Sequence, residues 1–105
     1  MKITSITPYL FFPGSGKNLL FTRVEIDEGI YGWGEGYTVQ GKEKAIEAYV
    51  NAIAPYMIGR SPFEIKHSGF ALFNDFTSRR SSCDFFSAWS SIEIALWDIV
   101  GKALG

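Results

Sequence analysis

Apolar residues repeat along this chain with two different periods, and the switch between them divides it. The early period is two. Leu20, Thr22, Val24 and Ile26 alternate with Arg23 and Glu25, which predicts a half-buried strand over about 19–27. Residues 2–12, rich in Ile, Thr, Tyr and Phe, predict a strand before it, with Pro8 placing that strand at an edge or a bulge. Asp27, Glu28 and Gly29 make a tight reversal. A third strand follows over about 30–37, with Tyr31, Trp33, Glu35 and Tyr37 on one face and Gly32, Gly34 and Gly36 on the other. A run of glycine on one strand face means that another backbone comes close there. The expectation is a crossing helix or a tightly pressed loop.

From residue 42 the period lengthens to that of a helix. Ile46, Tyr49, Val50, Ile53 and Met57 form one stripe over about 42–58, with Pro55 thinning the last turn and Gly59 placed to follow the helix end. Ser61-Pro62-Phe63-Glu64 has the form of a capping box, with Ser61 as N-cap and Pro62 at N1, opening a helix over about 62–76. Ile65, Gly69, Leu72, Phe73 and Phe76 are expected inward. Residues 77–83 are polar and aperiodic, a loop, after which Asp84 is expected to cap a final helix over about 85–104. In that helix Ala88, Ile92, Ala95, Leu96, Ile99 and Ala103 form one stripe, while Trp89, Ile94, Trp97, Val100 and Leu104 lie largely off it. A helix apolar on nearly all sides requires partners on nearly all sides.

Strands first and helices after predict a single α+β domain over 1–105: a three-stranded antiparallel β-meander with a three-helix layer on one face. The apolar share of 47% supplies a core, though a chain this short buries only roughly two thirds of its unfolded surface. A net charge of −1 offers no footprint for nucleic acid or an anionic membrane. The lone Cys83 excludes an intramolecular disulfide and fits a reducing compartment. With no apolar run long enough for a membrane span and no signal-peptide pattern at the start, a cytoplasmic protein is expected.

Candidate chemistry is thin. His67, the single histidine, has no Cys or carboxylate at metal-ligand spacing and reads as a solvated or helix-packing residue. Cys83 beside Asp84 has no evident base and reads as a bystander. The GSGK of residues 14–17 lacks the spacing and the following Ser/Thr and helix of a phosphate loop. Glu35 is expected half-buried on strand three, with a backbone N–H or Arg23 as partner. Arg79 and Arg80 read as solvated, with a carboxylate or phosphate clamp as the other reading. Asp98 and Lys102 make an i, i+4 pair, whereas Glu93 and Asp98 lie about 140° apart around the helix and do not converge. No constellation here performs catalysis unaided.

Three stretches carry a resemblance: DEGIYGWGE at 27–35, IGRSP at 58–62 and SIEIALWDIVGKALG at 91–105. In this order and spacing they resemble the N-terminal capping domain of the enolase superfamily, in its mandelate racemase/muconate-lactonizing enzyme branch, and the match runs from the opening MKI to Gly105. That domain is a three-stranded meander with a helical layer, in agreement with the periodicity. The resemblance implies a following (β/α) barrel of roughly 250 residues, expected to be absent from this chain. The barrel would carry the Mg²⁺ ligands and the Lys or His bases that remove a proton α to a carboxylate, ahead of dehydration, racemisation or cycloisomerisation. None of those positions exists here, so no catalytic or metal residue is assigned.

What the resemblance carries over is a lid. The loop Pro13, Gly14, Ser15, Gly16, Lys17 and Asn18 and the loop of Tyr37, Thr38, Val39 and Gln40 correspond to segments that close over the barrel mouth. Lys17 is expected to meet a substrate carboxylate or hydroxyl, and Tyr37, Thr38 and Gln40 to line the distal wall, with the glycines of strand three and Glu35 as scaffold. Trp89, Trp97, Val100 and Leu104 are expected to face the barrel. The implied parent is a lyase or isomerase, an acid-sugar dehydratase being expected because that activity is common in the branch, with a racemase or cycloisomerase as the other outcomes, and this chain alone is expected to be inactive. A free-standing module, self-associating through the last helix or binding a small ligand through the Lys17 loop, is the alternative.

Overall fold

A computed structural model describes residues 1–80 and 82–105. Strands β1 (Ile3–Phe11), β2 (Leu19–Ile26) and β3 (Tyr31–Gly36) are followed by helices α1 (Glu43–Met57), α2 (Ile65–Ala71), which runs on into a π-helical turn over Leu72–Phe76, and α3 (Cys83–Leu104). The strands form one antiparallel sheet in the order β1-β2-β3. This is the α+β meander with a helical layer that the two periods predict, without a barrel. Pro8 lies in edge strand β1, and the register of β1 on β2 slips between Ile3 and Ser5.

The core forms where the two periods meet. Leu20, Thr22, Val24 and Ile26 from β2 are buried together with Ile46, Val50, Ile53 and Met57 from α1 and Phe85, Ala88, Ile92, Ala95, Leu96 and Ile99 from α3. Each large apolar side chain so buried contributes about 1.5–3 kcal/mol of transfer free energy. On the inner face Gly32, Gly34 and Gly36 pair with Val24, Thr22 and Leu20, and α3 crosses them. A Cβ at Gly34 would run into the carbonyl of Ser91, and one at Gly32 into that of Ala95. Helix backbone therefore rests on strand backbone, as the glycine run predicts.

Helix α3 also closes the free edge of β3. The Trp33 N–H donates to Asp98 Oδ2 at 3.0 Å, and Lys102 Nζ donates to the Tyr31 carbonyl at 2.6 Å. Asp98 and Lys102 are themselves paired at 3.3 Å. Their i, i+4 spacing thus serves the sheet as well as the helix, since an unpaired strand edge invites pairing with another chain. The opposite face of the sheet is aromatic, with Tyr9, Phe11, Tyr31 and Trp33 all exposed. Arg23 stacks 4.2 Å from the Tyr31 ring centre.

Several expectations are corrected. Ser61 does not cap α2. Its Oγ accepts from the Phe63 N–H and its carbonyl from the Glu64 N–H, which makes a separate turn with Pro62 at the position its fixed φ favours. Glu64 then has ψ 55°, outside the helical range, and α2 starts at Ile65. Asp84 is not the cap of α3. Ser82 is, its Oγ accepting from the Phe85 N–H at 3.2 Å, and Asp84 sits in the first turn, where its charge suits the helix dipole. Glu35 is exposed rather than half-buried, because it lies on the open face, and Arg23 turns to Glu25 at 3.0 Å instead.

Candidate functional site

The two loops expected to form a lid lie side by side. β1 and β2 are joined by residues 12–18, and β3 runs out into 37–42 at the same end of the sheet, since Leu20 pairs with Gly36. Gly14 and Gly16, with φ of 108° and 77°, turn the first loop through conformations that a side chain resists. Pro13 to Gly16 are exposed, Lys17 and Asn18 half-buried. In the second loop Tyr37, Val39 and Gln40 are exposed while Thr38 is buried.

Direct bonds join the two segments. Lys17 Nζ donates to the Thr38 carbonyl at 2.7 Å and stands 4.1 Å from the Tyr37 ring centre. Thr38 Oγ1 donates to the Asn18 carbonyl at 2.6 Å. Thr38, buried, thus spans the two loops through both its carbonyl and its hydroxyl. Tyr37 and Gln40 stay available at the surface. Lys17 forms no ion pair among the described residues: the pairs are Arg23–Glu25, Lys42–Asp84 and Lys102–Asp98. An ammonium has three donors, and among the described residues a neutral carbonyl and an aromatic face answer this one.

Glu43, in the first turn of α1, was not singled out from the sequence. Its Oε2 accepts from the Asn18 N–H at 3.1 Å and its Oε1 from the Gly41 N–H at 2.8 Å, so one carboxylate holds both loops. Its own backbone N–H, then that of Asn18 and, more weakly, that of Gly41 hold its carboxyl below the ordinary carboxylate range, against an opposing effect of burial. An acid in a first helical turn was the one signal available, and most such acids answer only to the helix dipole.

His67, Cys83, Arg79 and Arg80 are exposed, remote in sequence from the loops. Among the described residues no three His, Cys, Asp or Glu side chains come close enough to hold a metal ion, and no helix is long and apolar enough to cross a membrane. Of the four residues expected to face a second body, Trp97 and Leu104 are 59% and 78% exposed, and Val100 is partly buried against the core. Trp89 is buried instead. Its indole lies over Gly69 of α2, where the missing side chain makes room, and it lines a surface groove of about 290 Å³ with Ile65, Phe70 and Phe86.

Residues 14–105 match the family model described as mandelate racemase / muconate lactonizing enzyme, N-terminal domain. The chain belongs to this family. Among curated relatives, the D-galactonate dehydratases of Verminephrobacter eiseniae and Xanthomonas axonopodis pv. citri are 40% and 41% identical over all 105 residues. Among solved structures, a mandelate racemase/muconate lactonizing enzyme-like protein from Roseovarius sp. TM1035 superposes with a TM-score of 0.89 at 28% identity, covering 100% of this chain and 28% of that one. The 3,6-anhydro-D-galactonate cycloisomerase from Zobellia galactanivorans gives 0.87 at 27% identity, covering 99% and 29%. The chain spans 26% of the length of those two dehydratases. It is thus the N-terminal domain of the mandelate racemase/muconate lactonizing type, and its relatives carry a much longer polypeptide.

Proposed function

We propose that this domain is the substrate-specificity cap of a Mg²⁺-dependent acid-sugar dehydratase that removes a proton α to a carboxylate. The observation that supports the reading most is the pairing of the two loops around Lys17. A half-buried ammonium without a carboxylate partner stands beside an exposed phenol, and both suit a polyhydroxylated carboxylate. The relatives named as galactonate dehydratases have substrates of this kind in their names. The described residues do not fit a metal site, so in this reading the metal and the proton-abstracting base belong to the remainder of the polypeptide. The cap's own share is to orient substrate and exclude water.

The covalent continuation of α3 is the proposed occupant of the surface around Trp97 and Leu104. In an isolated 105-residue chain that surface is open to self-association. The test uses both forms. The purified 105-residue chain should turn over no acid sugar with Mg²⁺ in excess, and measurable Mg²⁺-dependent turnover by it would overturn the assignment. In the longer polypeptide, Lys17→Met should raise KM for an acid sugar at least about tenfold, the loss of one charged hydrogen bond. An unchanged KM would remove Lys17 from the site.

A further inference from the structure

The segments 13–18 and 37–41 are far apart in the chain and belong to different connections, so nothing in the covalent structure makes them move together. Three links join them, two direct and one through a common anchor. Two are local and direct: Lys17 Nζ to the Thr38 carbonyl, and Thr38 Oγ1 to the Asn18 carbonyl. The third is the Glu43 carboxylate, which accepts one N–H from each segment on separate oxygens. Glu43 differs from the other two in where it stands. It is part of α1, whose Ile46, Val50, Ile53 and Met57 are buried in the core, so it ties both segments to the rigid body of the domain. The bonds are charge-assisted, and such bonds are shorter and about twice as strong as neutral ones. Both oxygens are used, so a neutral side chain of the same length cannot replace it: a carboxamide has only one acceptor oxygen.

We infer that Glu43 is the positioning residue of the lid. It holds the two segments as one unit on α1 and thereby fixes where Lys17 stands relative to the substrate. The inference rests on the reading of these loops as a substrate lid. Glu43 touches no substrate in this account. It acts through the Asn18 and Gly41 amides, and substitutions in either loop should alter how the other presents its side chains.

The experiment is Glu43→Ala, which removes both acceptor oxygens, read in two ways. Amide hydrogen exchange in the 105-residue chain should rise about tenfold at Asn18 and Gly41 together, with β2 and α3 amides unchanged. Kinetics of the longer polypeptide on an acid sugar should show KM raised more than kcat is lowered. A rise at one amide alone, or at neither, overturns the inference whatever KM does. A joint rise with unchanged KM, beside a raised KM in Lys17→Met, overturns the positioning role and leaves the lid. Unchanged KM in both variants overturns the lid reading and the inference with it. If Glu43→Ala does not fold, Glu43→Asp serves in its place: the charge remains, but the side chain is one methylene short of spanning both amides. Exchange should again rise in both segments, and wild-type protection in either one overturns the inference.

Discussion

The hydroxyls of Thr22 and Ser91 lie 2.8 Å apart in the buried seam between β2 and α3. Ser91 Oγ also donates to the Ala88 carbonyl at 2.7 Å. Its one proton being used there, Thr22 must be the donor of the shared bond. The two residues are therefore not equivalent. Ser91→Ala strands a buried donor on Thr22 and should cost about 1–3 kcal/mol, whereas Thr22→Val leaves Ser91 still bonded and should cost about 1 kcal/mol or less. The double variant should be less destabilised than Ser91→Ala. Urea denaturation of the four proteins checks the order, and an equal loss in both single variants would contradict the proton assignment.

The glycines of β3 and α3 should respond in opposite directions to alanine. At Gly34 the new Cβ meets the backbone carbonyl of Ser91, which no rotamer change can relieve, so Gly34→Ala should destabilise by about 3 kcal/mol or more. Gly101 is helical with open space around it, and Gly101→Ala should stabilise by about 1 kcal/mol. Thermal denaturation midpoints moving down for the first and up for the second are the expected result.

Glu43 sets a pH dependence. Its folded-state pKa lies below the unfolded value near 4.5, so the stabilisation it gives is fully present above that value and is lost as pH falls through the folded pKa. The Asn18 and Gly41 amides should therefore lose protection below about pH 4.5 before the core does. NMR exchange measured across pH 3 to 6, corrected for intrinsic rates, tests this. Constant protection at Asn18 and Gly41 down to the acid unfolding transition would exclude it.

Trp97 and Leu104 are exposed, and on the proposed reading the isolated chain self-associates through them. An exposed tryptophan is a frequent centre of interfaces, so Trp97→Lys should weaken self-association by about tenfold or more in sedimentation equilibrium. A wild-type chain that stays monomeric across a wide concentration range would remove the basis for this expectation.

What could be read from sequence was what short-range sterics decide. Gly32, Gly34 and Gly36 announced a close backbone because few other circumstances tolerate three glycines on one strand face, and α3 lies there. Caps were less legible. Ser61-Pro62-Phe63-Glu64 fitted the capping-box pattern yet folds as a turn, while Ser82, without a Glu three residues on, is the N-cap in fact. Trp89 lies off the helical stripe and is expected to face a second body, but Gly69 on a different helix makes a place for it. The loops were found through the resemblance, and their linkage was not. Glu43 reaches 25 residues back to Asn18, a contact set by how α1 docks on the sheet rather than by any local pattern.

The glycine seam has one more consequence. Because α3 lies backbone to backbone on β3, no layer of flexible side chains cushions the two. Ser87, near the start of α3, abuts Gly36, one residue before Tyr37. Lys102, near its end, grips Tyr31. The helix is thus a stiff rod with the root of the 37–41 loop at one tip and the surface of Trp97 and Leu104 toward the other. On the proposed reading, a body docked beside Leu104 and the root of the Tyr37 loop would therefore share one helix.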